Sequence, residues 1–268
     1  MRLVRRKAVG NDEILWDPAQ PMSPEVVSGF DAVVHLAGES IVGRWTEAKK
    51  SRIRASRIPA TTHLAQALAQ ARQKPGVFLS ASAIGYYGNR GDEVLTEDSA
   101  GGAGFAADLA RDWELATASA TQAGIRTVQM RIGIVLGAGG GALQKMLPPF
   151  KMGVGGRIGA GRQWMSWVDV QDVAGAIHHL LKTDLSGPVN LVAPNPVTNA
   201  DFTKTLASVL SRPAIFPMPA FAARLAFGQM ADELLLASQR VEPGKLIASG
   251  YSFKFSELRR SLQAILGR

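Results

Sequence analysis

Arg5 and Arg6 follow the apolar run that opens the chain, in the segment RLVRRK. In dinucleotide-binding proteins an acidic residue commonly stands at the end of the second strand and holds the ribose 2′-hydroxyl. Two guanidinium groups at such a strand end would instead pair with a 2′-phosphate, because their charge is permanent and their donors are forked. The pair therefore favours NADP over NAD, and a solvated basic N-terminus is the alternative.

A second strand end lies in the segment FDAVVHLAG, residues 30–38. Leu36, Ala37 and Gly38 follow its apolar core, where a bound nucleotide would require the backbone to turn closely beneath it. A Cβ at Gly38 would obstruct that approach. We expect these three residues beside a nucleotide, although an ordinary turn glycine would give the same pattern.

The elements that position these strand ends alternate along the chain. Apolar strands and helical patterns follow one another in a βαβα order, which is typical of a doubly wound, mainly parallel sheet. A strand with its exit loop is predicted over 76–88, one long helix over 104–124 and a further strand over 125–137. The glycine-rich segment that follows predicts a helix start and a loop. From residue 213 onward, proline turns and Leu/Ala-rich helices predict a smaller C-terminal lobe.

Composition limits the classes of protein that this chain can be. Its 268 residues, 46% of them apolar, are enough for a self-sufficient globular fold. The net charge of +8 is spread over several segments without the interleaved aromatic residues of a nucleic-acid surface. The chain has no cysteine and no apolar run long enough for a membrane span, so we expect neither membrane nor nucleic-acid partners, and a cytoplasmic location.

Ten segments, in this order and spacing, resemble one known family. They are DAVVHLAGESI, GRWTEAKK, SRI, SASAIGYYG, EDS, RDWE, RIGIVLGAGGGAL, GGRIGAGRQWMSWV, NLVAPNPVTNADF and SQRVEPGKLIASGYSFKF. The chain is similar to the extended, atypical branch of the short-chain dehydrogenase/reductases. In particular it resembles the epimerase-like family that is sometimes labelled a bacterial cell-division inhibitor and carries a C-terminal domain of unknown function.

The resemblance implies an α/β Rossmann-type fold with NADP as cofactor, divided into a nucleotide-binding domain at 1–198 and a mostly helical substrate lobe at 199–268. Members of the family begin with a first strand, a G-x-x-G-x-x-G turn and a first helix, none of which precedes RLVRRK here. We therefore expect a sheet that lacks its first strand and helix. Either the start codon was assigned too far downstream, which we favour, or a truncated product folds with a compromised site.

The same resemblance assigns site residues. It makes Leu36 and Ala37 cofactor contacts, matches Arg57 in ASRIPATT to an arginine that reaches the cofactor, and places Val135 in RIGIVLG on the nicotinamide side. With Arg5, Arg6 and Gly38 these residues form the predicted cofactor site.

The residues that would perform chemistry depart from the family pattern. Active members use a serine after a strand and a Tyr-x-x-x-Lys pair on the next helix, where lysine lowers the tyrosine pKa. Ser82 stands at the serine position, but Phe105 and Leu109 stand at the pair's positions. Tyr86 or Tyr87 are the candidates for a substitute phenol.

The remaining polar residues have structural interpretations. His35 is expected to be a satisfied interior imidazole, Asp169 a helix N-cap and Asp172 a buried carboxylate, and no metal site is predicted. Three functions stay open. The first is an NADP-binding protein without Tyr–Lys catalysis, and the second an NADP-dependent oxidoreductase or nucleotide-sugar epimerase that uses Ser82 with Tyr86 or Tyr87 on an unknown small molecule. The third is a cell-division or scaffold protein acting through protein contacts.

Overall fold

The computed structural model describes residues 1–10 and 12–268. The strands are β1 (Arg2–Val4), β2 (Glu13–Leu15), β3 (Ala32–His35), β4 (Val77–Ala83), β5 (Val94–Leu95), β6 (Arg126–Ile132), β7 (Ile134–Leu136), β8 (Trp164–Met165), β9 (Trp167–Asp169), β10 (Gly187–Leu191), β11 (Val197–Thr198) and β12 (Arg240–Val241). The helices are α1 (Glu47–Ala55), α2 (Ile58–Gln70), α3 (Phe105–Leu115), α4 (Ala118–Gln122), α5 (Gly141–Lys151), α6 (Val170–Lys182), α7 (Asn199–Leu210), α8 (Ala220–Phe227), α9 (Gly244–Ala248) and α10 (Leu258–Leu266).

A parallel four-stranded sheet forms the centre of the molecule, with the strand order β10-β6-β4-β3. In register, Val34 of β3 lies opposite Leu79 of β4, which lies opposite Val128 of β6. The central strands are buried on both faces because helices cover each side, and they are accordingly rich in β-branched and aliphatic residues. The predicted α/β fold with a parallel sheet is confirmed.

The first two strands lie apart from this sheet. β1 and β2 pair in parallel with each other, and among the described residues no strand pairs with the free edge of β3. Leu3 of β1 nevertheless packs, with Val33 of β3, against the apolar cluster that α2 and Phe78 form. β1 and β3 are therefore not paired with each other among the described residues.

Two predicted elements are divided in the structure. The predicted helix over 104–124 is wrong as one element, because it breaks into α3 and α4 at Ala116 and Thr117. The hydroxyl of Thr117 donates to the Glu114 carbonyl and accepts from the side-chain amide of Gln129, so the chain turns there. The predicted strand over 125–137 is divided at Gly133, where the chain passes the Ser166 carbonyl too closely for a Cβ.

The C-terminal residues interlock with the rest of the chain. β12 pairs with β5, and the Gln239 side-chain amide donates to the carbonyls of Ile84 and Gly88. One apolar cluster joins β7, α5 and β9 to α7 and α10. The predicted boundary between 1–198 and 199–268 therefore stays a prediction, since the packing is continuous across it.

Two general features bear on function. Within residues 1–10 and 12–268, no helix combines the length and apolar character needed to cross a bilayer. In the same residues, histidine, aspartate and glutamate side chains do not gather into a group of three or more that would suit a metal ion.

Candidate functional site

The predicted cofactor residues follow strands that run in the same direction. Leu36, Ala37 and Gly38 follow β3, Ser82 lies near the end of β4, and Val135 lies just past β6 on β7. Because β3, β4 and β6 are parallel, their carboxyl ends share one edge of the sheet, where open α/β sheets bind ligands. The apolar Leu36 is 55% exposed at this edge.

Arg57 is held directly against the turn after β3. Its guanidinium donates to the Glu39 carbonyl at 2.9 Å and to the Ser56 hydroxyl at 3.2 Å, and it lies 5.0 Å from the Trp113 ring centroid. A Cβ added at Gly38 would come within 3.0 Å of the guanidinium carbon. Glycine at 38 thus lets a cation approach the backbone of the turn.

The charge of Arg57 is not neutralised by direct contact. None of the salt bridges of the described residues involves it, and burial lowers its pKa, partly offset by the more distant Glu39 carboxylate. Glu39 instead pairs with Lys49 at 2.7 Å, and this hydrogen bond lowers the pKa of Glu39. A partly buried cation without an ion pair is suited to an anionic ligand.

The two N-terminal arginines have different environments. Both Nη atoms of Arg6 donate hydrogen bonds to the Glu13 carboxylate of β2, at 2.8 and 2.7 Å, and these bonds lower the pKa of Glu13. Arg5 is exposed and forms no salt bridge with the described residues. Of the two, Arg5 is therefore the one whose guanidinium is free for a phosphate.

Trp16 was missed by sequence reasoning. It follows β2, is 7% exposed, and its ring meets the His35 ring edge-on at 5.8 Å, which brings the ends of β2 and β3 together. Its indole nitrogen has no hydrogen-bond partner among the described residues. Buried donors are normally satisfied, so this N–H is a donor available to a ligand that reaches Trp16. In the sequence, a large aromatic residue next to the polar Asp17 was the feature that could have marked this position.

His35 is the expected interior imidazole. Its Nε2 lies 3.1 Å from the Thr61 hydroxyl oxygen, which also accepts from the Trp113 indole at 2.9 Å. Burial lowers the pKa of His35 to about 4. The imidazole is therefore neutral near pH 7, and its hydrogen bond is structural.

Ser82 belongs to a buried ionic network. Its hydroxyl donates to Glu114 Oε1 at 2.7 Å, and Glu114 receives both Nε and Nη2 of Arg131, at 2.8 and 2.9 Å. Arg131 is 3% exposed, and bonding to Glu114 raises its pKa although burial alone would lower it. Neither Glu114 nor Arg131 was predicted; an arginine inside an apolar strand was the signal for a buried partner.

The two candidate tyrosines differ in exposure. The Tyr87 hydroxyl is fully buried, donates to Asn190 Oδ1 at 2.7 Å and accepts from Arg131 Nη1 at 3.0 Å, and burial raises its pKa. Tyr86 is partly exposed, and the Arg131 guanidinium carbon lies 3.5 Å from its ring centroid. The geometry therefore favours Tyr86 over Tyr87 as a group that a ligand can reach.

Helix α3 carries neither tyrosine nor lysine in any register, since its sequence is FAADLARDWEL. Phe105 packs edge-on against Trp45 at 5.0 Å, and Leu109 is buried in the same apolar cluster. At the start of the helix, the Glu233 carboxylate accepts from the amides of Phe105 and Ala106, at 3.2 and 2.7 Å. This face of α3 is packed and capped by the protein itself.

Comparison with known proteins identifies the family of this chain. The model of the NAD dependent epimerase/dehydratase family matches residues 23–192, and a domain of unknown function, DUF1731, matches residues 218–265. The epimerase family protein Mb2239 of Mycobacterium bovis is 42% identical over 265 residues, which are 98% of this chain and 87% of that protein.

Solved structures place the fold in the same group. A crystal structure of human epimerase family protein SDR39U1 with NADPH matches with a TM-score of 0.89 and 35% identity, over 99% of this chain and 90% of the human one. UDP-glucuronic acid 4-epimerase of Bacillus cereus matches with a TM-score of 0.78 at 16% identity, over 95% of this chain and 80% of that one, and shares the fold. This chain therefore belongs to the NAD dependent epimerase/dehydratase family.

Proposed function

We propose that this protein binds NADP(H) at the carboxyl edge of its parallel sheet and does not use a Tyr–Lys pair for catalysis. The observation that carries the proposal is Arg57, a partly buried cation with no salt bridge among the described residues, held against the glycine turn after β3. The NADPH complex of the human relative, which covers nearly the whole chain, supports the choice of ligand.

The residues at this edge fit a phosphorylated dinucleotide. Gly38 leaves the space that a Cβ would fill, Arg57 and Arg5 provide cationic donors, and the Trp16 indole N–H is a buried donor in need of an acceptor. Leu36, Ala37 and Val135 supply apolar surface for the rings, and Arg6 supports Glu13 while adding positive potential. Arg5, whose guanidinium forms no salt bridge with the described residues, favours a 2′-phosphate over a free ribose hydroxyl.

When bound, this cofactor supplies a hydride acceptor or donor at its nicotinamide ring. The protein's own residues bind and orient it, but α3 contributes no phenol or ammonium group to move a proton. Ser82 is bonded to Glu114, and its role there is to hold the network that supports the sheet edge. The nucleotide would then serve as a structural or sensing ligand, or support a reaction that uses other groups.

The decisive experiment is a titration of the full chain with NADPH and NADH, followed by nicotinamide fluorescence. We expect saturable NADPH binding that R57Q weakens about tenfold or more, because a charge-assisted hydrogen bond is lost. R72Q is the matched control, since Arg72 is an exposed arginine just past the other end of α2. R5Q should reduce affinity for NADPH and leave NADH unchanged.

Absence of a fluorescence change or a thermal shift at millimolar cofactor would refute the proposal. Equal loss of affinity in R57Q and R72Q would show that Arg57 acts only through net charge.

A second candidate is an active oxidoreductase or epimerase in which Tyr86 moves the proton. The observation in its favour is the position of Tyr86, partly exposed and stacked on the permanent charge of Arg131 at 3.5 Å. Turnover in a screen of sugars, aldehydes and quinones that Y86F abolishes, with NADPH binding unchanged, would establish it. The absence of cysteine fits a cytoplasmic location, which fractionation of the native cells would test.

A further inference from the structure

A cavity of about 400 Å³ lies between α7 and the segment at 213–217. Ala207, Ile215 and Pro217 supply apolar wall, and Thr203 adds a hydroxyl. Arg157 and Lys204 also line it. Its volume is within the range of small-molecule sites, roughly 300–1,000 Å³.

The wall is built by paired backbone segments. Phe216 N donates to the Gly155 carbonyl at 3.2 Å, and Met218 N donates to the Arg157 carbonyl at 2.9 Å. These bonds fix the backbone of Arg157 beside the segment that carries Ile215 and Pro217. Two sides of the cavity are therefore connected by backbone hydrogen bonds.

The two cations of the cavity have no acidic partner. Neither Arg157 nor Lys204 forms a salt bridge with the described residues. Asp201, three residues before Lys204 on α7, accepts a hydrogen bond from the Thr198 hydroxyl at 2.6 Å instead. Two like charges next to apolar wall raise the local positive potential, which an anion would lower.

The sequence around the cavity shows the same asymmetry. Residues 115–168 and 202–231 contain no aspartate or glutamate, although the chain as a whole has 22 acidic residues. These two segments supply seven of the eight residues that line the cavity, and the eighth is Ala200. Asp201 is the acidic residue nearest in sequence to the lining residues, and its carboxylate is bonded to the Thr198 hydroxyl.

We propose that this cavity binds an organic anion with a saturated apolar body, of the class of medium-chain carboxylates. The head group pairs with Arg157 and Lys204, and the aliphatic body contacts Ala207, Ile215 and Pro217. None of the described lining residues is aromatic, so the wall suits an aliphatic chain better than a nucleobase, which binds by stacking. Ile215 is 72% exposed, so this part of the apolar wall is accessible from solvent.

The test is calorimetric titration of the full chain with decanoate below its micelle concentration. We expect one saturable site that R157Q and K204Q each weaken about tenfold, because each removes a charge-assisted contact. R212Q is the matched control, since Arg212 is an exposed arginine of the same acid-free segment that does not line the cavity. Decanol should bind at least tenfold more weakly than decanoate.

Several results would overturn the proposal. Absence of saturable decanoate binding would remove it, and equal weakening by R212Q would show that only the general field acts. Inorganic phosphate binding as tightly as decanoate would show that the apolar wall is not used. Sedimentation with phosphatidylglycerol vesicles without binding of free decanoate would assign the surface to a membrane and contradict the cavity site.

Discussion

The substitution E114Q is expected to destabilise the fold strongly, because it leaves the Arg131 charge buried without a counter-charge. Arg131 is 3% exposed, and two of its nitrogens bond Glu114 at 2.8 and 2.9 Å. Removing one partner of a buried ion pair typically costs about 3–5 kcal/mol. In a chain of this size each kcal/mol lowers Tm by about 2–4 °C, so Tm should fall by about 6–20 °C.

Two comparisons separate the uncompensated charge from a general effect of the substitution. D108N removes an exposed pair with Arg111, which should cost less than about 1 kcal/mol. The double variant E114L/R131M replaces both charges with apolar side chains and should recover most of the stability that E114Q loses. Chemical denaturation monitored by tryptophan fluorescence measures all three. If E114Q costs no more than D108N, or the double variant costs more than E114Q, the buried pair is not what supports this region.

Three further predictions follow from local geometry. Burial lowers the pKa of His35 to about 4, below its value of 6.5 in the unfolded chain, so the unfolded chain takes up a proton first as the pH falls. The free energy of unfolding should therefore decrease by up to about 3 kcal/mol between pH 6.5 and pH 4. Denaturation curves across that range should show this dependence on pH, and H35Q should weaken it. G133A should lower the free energy of unfolding by at least about 1–3 kcal/mol, because a Cβ there would lie 2.5 Å from the Ser166 carbonyl oxygen. A Cβ at Gly139 would meet no atom within 4 Å, so G139A should leave the denaturation curve nearly unchanged. E233Q should cost about 1 kcal/mol and speed amide hydrogen exchange at Phe105 and Ala106, and unchanged exchange there would contradict a capping role.

The elements that could be predicted from the sequence are those set by local pattern. Apolar runs predicted the buried parallel strands, and Asp169 was recognisable as an N-cap; the structure shows its side chain accepting from Gln171 N. The division of α3 from α4 could not be predicted, because it depends on Gln129 of β6 reaching Thr117 from another element.

The residues of the candidate site could be predicted only where they directly follow an apolar strand in the sequence. The turn at 36–38 and the basic pair at 5–6 follow apolar runs, so their positions could be expected. Glu114, Arg131 and Glu233 could not be placed, since the first two meet across 17 positions of sequence and Glu233 reaches α3 across 127 or more. Residue types alone do not indicate which distant partner satisfies a buried charge.

The pairing of β12 with β5, together with the Gln239 amide on the turn after β4, means that the last fifth of the chain is not a detachable module. A protease that cut the connection at 212–219 would leave two fragments still joined through that strand pair and the shared apolar cluster. The two unequal fragments, produced separately, should reassociate when mixed. The C-terminal fragment fused to an unrelated nucleotide-binding domain would lack β5 and the apolar surface against which it packs.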